Sequence, residues 1–98
     1  MRVVFNSPSI VLEQKKSKAK YPDAKVIVLD DSFNTFQHVA TSLLTIIPDM
    51  SEKRAWELTI KVDDLGSAEV WRGNLELAEL YHEQLANKGL TMAPIEKI

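Results

Sequence analysis

Lys25-Val26-Ile27-Val28-Leu29-Asp30-Asp31-Ser32-Phe33-Asn34-Thr35-Phe36 is the stretch on which the fold turns. Val26 to Leu29 is a short run of largely β-branched residues, which suit a pleated, packed surface, and the polar Asp30-Asp31-Ser32 bounds it with turn chemistry. Together they read as a buried strand and its exit. Asn34 stands where a helix N-cap is needed, with Gln37 completing a box-like pattern. Phe36, Val39, Ala40, Leu43, Leu44 and Ile47 then recur at helical spacing until Pro48 stops them.

Further along, Ser51 opens a second helix with Ala55, Leu58 and Val62 inward, closed by Asp63-Asp64-Leu65-Gly66, where glycine permits a C-terminal turn. Ser67 to Arg72 alternates with period two, Ala68 and Val70 on one face and Glu69 and Trp71 on the other, as a half-exposed strand does. Gly73-Asn74 ends it and caps a third helix, whose apolar stripe reads as Leu77, Leu80, Tyr81 and Leu85. Asn87-Lys88-Gly89 closes that helix and Leu90 to Ile95 reads as a last strand, with Pro94 placing it at an edge or at its end. The order is strand, helix, helix, strand, helix, strand. It predicts an α+β sandwich with a small three-stranded antiparallel sheet packed with three helices.

Toward the N-terminus the signals fade. Asn6-Ser7-Pro8-Ser9 and the almost wholly polar Glu13 to Lys20 precede a Tyr21-Pro22-Asp23 turn, so residues 1–24 are expected to be an extension and residues 25–98 the single domain that 98 residues allow. The charge of −2 hides an asymmetry: residues 1–25 hold six Lys or Arg against two acids, residues 26–98 six against twelve. An acidic body argues against nucleic acid, which is gripped by clustered cations, and suits a cationic ligand better. No apolar run approaches the roughly 18 residues of a membrane span, and Met1 to Phe5 is too short for a signal-peptide core before Asn6 and Pro8. With no cysteine there is neither a disulfide framework nor a thiolate zinc site, which fits a reducing compartment, and the expectation is cytoplasmic. His38 and His82 read as solvated, and neither has a second ligand at metal spacing.

The quoted stretch resembles the signature of the ClpS adaptor family: an apolar strand, Asn-Asp-Asp, an aromatic, Thr-Pro and Met. The resemblance continues in Ala55 to Val62, in Gly66, in Glu76 and in the closing Ile95-Glu96-Lys97, about three quarters of the chain. It implies the ClpS-like sandwich and an adaptor, not an enzyme, with no metal or cofactor. Such an adaptor binds the N-terminal residue (N-degron) of substrate proteins and delivers them to a Clp-type Hsp100 unfoldase through that partner's N-terminal domain. Carried over by position, the α-amino-binding places are Asp30, Asp31 and Asp63, of which Asp31 alone keeps the family's residue. The side-chain pocket places are Ser32, Asn34, Phe36, Val39, Leu43 and Thr59, with Phe36 and Thr59 where the family has methionine. The unfoldase-docking places are Glu76 and Tyr81, the latter replacing a lysine.

Two readings of other classes stay open beside this one. A ClpS-fold regulator docks on the unfoldase without reading amines, and an enzyme uses the Asp30, Asp31, Asp63 and Asp64 carboxylates with a hard divalent ion. The residues favour the amine. Asp63 and Asp64 sit at the negative end of a helix dipole and call for a compensating cation, and an α-ammonium offers three donors.

Overall fold

The computed structural model describes residues 22–98. The extension expected over residues 1–24 lies outside the described residues as far as Tyr21. The elements are β1 (Asp23–Leu29), α1 (Phe36–Ile46), α2 (Glu52–Leu65), β2 (Ser67–Asn74), α3 (Leu75–Asn87) and β3 (Glu96–Lys97), in the order the sequence predicts. β1 is central in an antiparallel sheet of order β2-β1-β3.

β1 is longer than its hydrophobic run. It takes in Asp23 and the fully buried Ala24, and every second residue, Ala24, Val26 and Val28, points into the core, as the period of a strand requires. Ala68 and Val70 of β2 join them. From the helices come Val39, Ala40, Leu43 and Ile47, then Ala55, Leu58 and Val62, then Ala78 and Leu85, with Leu90 closing the cluster. The register shifts between Val26 and Ile27, which face Trp71 and Glu69, so that one residue of β2 bulges out of the ladder.

Four local expectations are corrected. The N-cap of α1 is Thr35, whose Oγ1 accepts from the His38 amide at 3.1 Å; Asn34 is drawn elsewhere. The inward stripe of α3 runs through Ala78, Tyr81 and Leu85, while Leu77 and Leu80 face outward: the small Ala78 lets this helix approach the sheet. Leu90 to Ile95 is not a continuous strand. Leu29 donates to Thr91 O, Ala93 donates to Ile27 O and Val28 bridges Met92, but Pro94 has no N–H, and regular pairing resumes only where Glu96 and Lys97 meet Lys25 and Ala24. The histidines are not left to solvent alone: His38 is exposed, as expected, and His82 half buried, but each ring is hydrogen-bonded. His38 Nε2 lies 2.7 Å from Lys88 O and His82 Nε2 2.9 Å from Ala93 O, so both rings tie helices to the chain end; a carbonyl only accepts, and each Nε2 therefore carries the hydrogen.

Gly66 links α2 to β2 and ties them to the end of β1. With φ 88° it adopts the left-handed cap conformation, its N–H donating to Val62 O, and its own carbonyl accepts the Asp30 amide at 2.9 Å. A Cβ there meets no neighbour, so Gly66→Ala isolates backbone strain. The expected loss is about 1 kcal/mol, or roughly 5 °C in thermal midpoint for a domain of this size. An unchanged melting curve would show that the cap relaxes freely.

Candidate functional site

The strand end, the two-helix hairpin and the returning chain meet around one cleft. β1 contributes Val28 and Leu29, and the loop after it Asp30, Asp31 and Asn34. The α1 side supplies Phe36 and Val39, α2 supplies Thr59, Val62 and Asp63, and the chain after α3 supplies Leu90 and Thr91. Its volume of about 70 Å³ is several times the ~10–15 Å³ that one water needs, room for a medium side chain.

The floor is apolar and the rim acidic. Val28, Val39, Val62 and Leu90 are buried. Thr59 is buried as well, its hydroxyl donating to Ala55 O at 2.7 Å, so that its methyl is what remains for the cleft. Phe36 stays nearly half exposed at the mouth.

Asp31 organises the rim. Its Oδ1 accepts the amides of Phe33 and Asn34, both at 2.8 Å, and its Oδ2 accepts Asn34 Nδ2 at 2.7 Å and Thr91 Oγ1 at 2.7 Å. A carboxylate has about four lone-pair sites, and all four are used. The Asn34 amide above all, then the Thr91 hydroxyl, the Asn34 side chain and the Phe33 amide outweigh burial and hold the Asp31 carboxyl far below the ordinary carboxylate range. Asn34 Nδ2 also donates to Gly89 O at 3.0 Å. Asp31 and Asn34, with His38, thus fasten the chain at residues 88–91 to the start of α1, and that chain is one wall of the cleft.

Asp30 and Asp63 differ from Asp31. Both line the cleft and both are exposed, and neither carboxylate accepts a hydrogen bond or forms an ion pair among the described residues. The Asp30 amide bound to Gly66 O brings the end of β1 against the C-terminus of α2, which carries Asp63. The three aspartates share a cleft without closing on one point: among the described residues no three His, Asp or Glu side chains are grouped as a metal ion requires.

Of the residues singled out from sequence, Asp30, Asp31, Asp63, Asn34, Phe36, Val39 and Thr59 come together at the cleft. Ser32 and Leu43 do not line it. Ser32 is exposed on the loop, and Leu43 lies wholly in the core. Val28, Leu29, Val62, Leu90 and Thr91 were not anticipated. The strand's own alternation pointed to Val28; nothing local pointed to Thr91, which arrives from the far end of the chain. Glu76 and Tyr81 lie apart on α3, Glu76 exposed in its first turn and Tyr81 half buried with its ring edge-on to Trp71 at 4.9 Å. Trp71 in turn covers Gly73, where any Cβ would fall within the indole.

Comparison with known proteins bears on the family and the fold. The family model for the ATP-dependent Clp protease adaptor protein ClpS matches residues 19–93. The ClpS adapter of Thermosynechococcus vestitus is 56% identical over 91 residues, spanning 91% of this chain and 97% of that protein. That of Synechocystis is 62% identical over 77 residues, 79% of each chain. A structure of Agrobacterium tumefaciens ClpS2 bound to L-phenylalaninamide superposes with a TM-score of 0.73 at 22% identity, over 79% of this chain and 98% of that one, which establishes a shared fold.

Proposed function

Because this chain belongs to the ClpS family of adaptor proteins of the ATP-dependent Clp protease, we propose that its cleft holds the first residue of a substrate polypeptide, α-amine at the rim and side chain in the floor. The observation that carries this reading is that two carboxylates without partners among the described residues, Asp30 and Asp63, line one cleft with an apolar floor.

The division of labour follows from hydrogen-bond capacity. An ammonium needs acceptors, and Asp31 has none left; it fixes the loop and the wall while Asp30 and Asp63 receive the cation. Charge-assisted bonds of this kind contribute about 1.5–3 kcal/mol each. An interior peptide nitrogen is neutral and has one donor at most, so the N-terminus of a chain is distinguished from its interior by charge, and one N-terminus from another by the pit.

Delivery rests on a second surface. Glu76 and Tyr81 on α3 are proposed to meet the N-terminal domain of a Clp-type Hsp100 unfoldase, with Tyr81 held in place by Trp71 and Glu76 presented to solvent. The chain thus acts by holding and handing over, not by catalysis. No helix among the described residues is long and apolar enough to cross a membrane, and a chain without cysteine needs no oxidising compartment; the reading places it in the cytosol with its protease.

Phe36 makes the test. A ring at the mouth is a stiffer wall than methionine and takes volume from the pit. Peptides beginning with Leu are therefore expected to bind several-fold more tightly than those beginning with Phe, Tyr or Trp, and Phe36→Met to narrow the gap; fit of this kind discriminates by about 1–3 kcal/mol, not absolutely. Calorimetric titration of a panel differing only at the first residue measures it. Aromatic preference in the wild type, or no response to Phe36→Met, removes Phe36 from the pocket, and indifference to the first residue removes the pocket itself.

A further inference from the structure

The exposed side of α2 is charged except for three residues: Leu65 at its last position, and Trp56 and Ile60 in its middle. Trp56 is 37% exposed and Ile60 47%, too open for either to be explained as core. Trp56, Ile60 and Asp63 stand at i, i+4 and i+7, which puts them on one stripe of the helix, and Asp63 is the cleft's own rim. Thr59, which lies between Trp56 and Asp63 on the adjoining row, lines the cleft too. The apolar stripe is therefore continuous with the site.

The spacing matches an extended chain. A helix rises about 1.5 Å per residue, so Ile60 lies about 4.5 Å and Trp56 about 10.5 Å from Asp63 along the axis. An extended polypeptide rises about 3.3 Å per residue and sends alternate side chains to the same side. With the α-amine at Asp63, the second residue reaches Ile60 and the fourth reaches Trp56, both from one face. We propose that the Trp56 and Ile60 stripe is the track along which the captured polypeptide leaves the cleft, selecting apolar side chains at its second and fourth positions. This rests on the reading of the cleft given above and extends the recognised segment from one residue to four.

The test uses two free-amine peptides that share a first leucine, Leu-Leu-Ser-Phe and Leu-Ser-Ser-Ser, each continued by the same soluble tail, titrated into the full chain. The expected result is about tenfold tighter binding of the first, the order expected of two partly buried apolar contacts. In Trp56→Ala and Ile60→Ser that advantage falls below about twofold while the Leu-Ser-Ser-Ser peptide binds as before; both sites are exposed, and thermal midpoints report that the variants are folded. Equal affinity of the two peptides for the wild type, or equal weakening of both by the substitutions, overturns the track and leaves the cleft intact. If neither peptide binds, the cleft reading fails and the track with it. Sedimentation of the wild type and Trp56→Ala covers another occupant: a mass that falls from dimer to monomer on substitution assigns the stripe to a second copy of the chain and overturns the proposal.

Discussion

A free-amine peptide beginning with leucine is expected to bind about 100-fold more tightly than the same peptide acetylated at its first nitrogen. Acetylation removes the charge and two of the three donors while leaving the side chain that enters the pit. The two carboxylates that the cation neutralised, Asp30 and Asp63, are then brought together under a ligand that cannot pair with them, which costs more than the lost bonds alone. About 3 kcal/mol of difference corresponds to the stated ratio. Asp30→Asn and Asp63→Asn should each weaken the free peptide about tenfold and leave the acetylated one nearly unchanged, because they remove charge from the rim and nothing from the floor. Titration of both peptides into the three proteins decides it. Equal binding of free and acetylated peptides assigns the chain to the other ClpS-fold role, a regulator that docks without reading amines.

Asp31→Ala is expected to cost about 3 kcal/mol of folding stability, measured by urea unfolding, with loss of peptide binding as a consequence. The substitution strands the Phe33 and Asn34 amides, the Asn34 side chain and the Thr91 hydroxyl together. Water relieves some of these, since the loop is only partly buried, which is why the estimate is not larger. Asp31→Asn is no rescue: an amide turns one acceptor atom into a donor that faces a donor. The carboxyl also predicts a pH dependence. Its folded pKa lies well below the unfolded value of 3.8, so below about pH 4 the unfolded chain binds the proton more readily, and stability rises with pH in that range. The contribution is fully present above pH 4 and is lost as acid approaches the folded pKa. Asp31→Asn should therefore flatten the stability profile between pH 5 and pH 2; an unchanged slope would show that the carboxylate is not held as the geometry indicates.

The elements whose residues signal locally were legible in the sequence. β1 declared itself because a β-branched run ended at an aspartate pair, and α2 because Ser51 and Gly66 cap it with the chemistry that helix ends require. The misreadings share a physical cause. Leu77 and Leu80 drew attention by hydrophobicity, yet packing rewards close approach and chose Ala78. Asn34 is a good cap, but its side chain found two better-placed acceptors, Asp31 and Gly89, and Thr35 took the cap. Thr59 reads as polar until its hydroxyl is matched with the carbonyl one turn back. At the site itself, residue identity at three aspartates was legible and their roles were not: Asp31 is saturated by the local Phe33 and Asn34 donors and, last, by Thr91 from 60 residues away, whose arrival no spacing announces.

The bonds that hold the cleft wall span much of the described chain: 50 residues between His38 and Lys88, 55 between Asn34 and Gly89, 60 between Asp31 and Thr91. Such closures carry a loop-entropy cost that nearby contacts do not, and they form late. On the ribosome the same order is imposed by synthesis. A nascent chain that has emerged as far as Asn87 already displays Asp30 and Asp31 after β1 and Asp63 in α2, but its wall is still in the exit tunnel. The cleft therefore gains its wall only once residues 88–91 have left the tunnel, however early its rim has emerged.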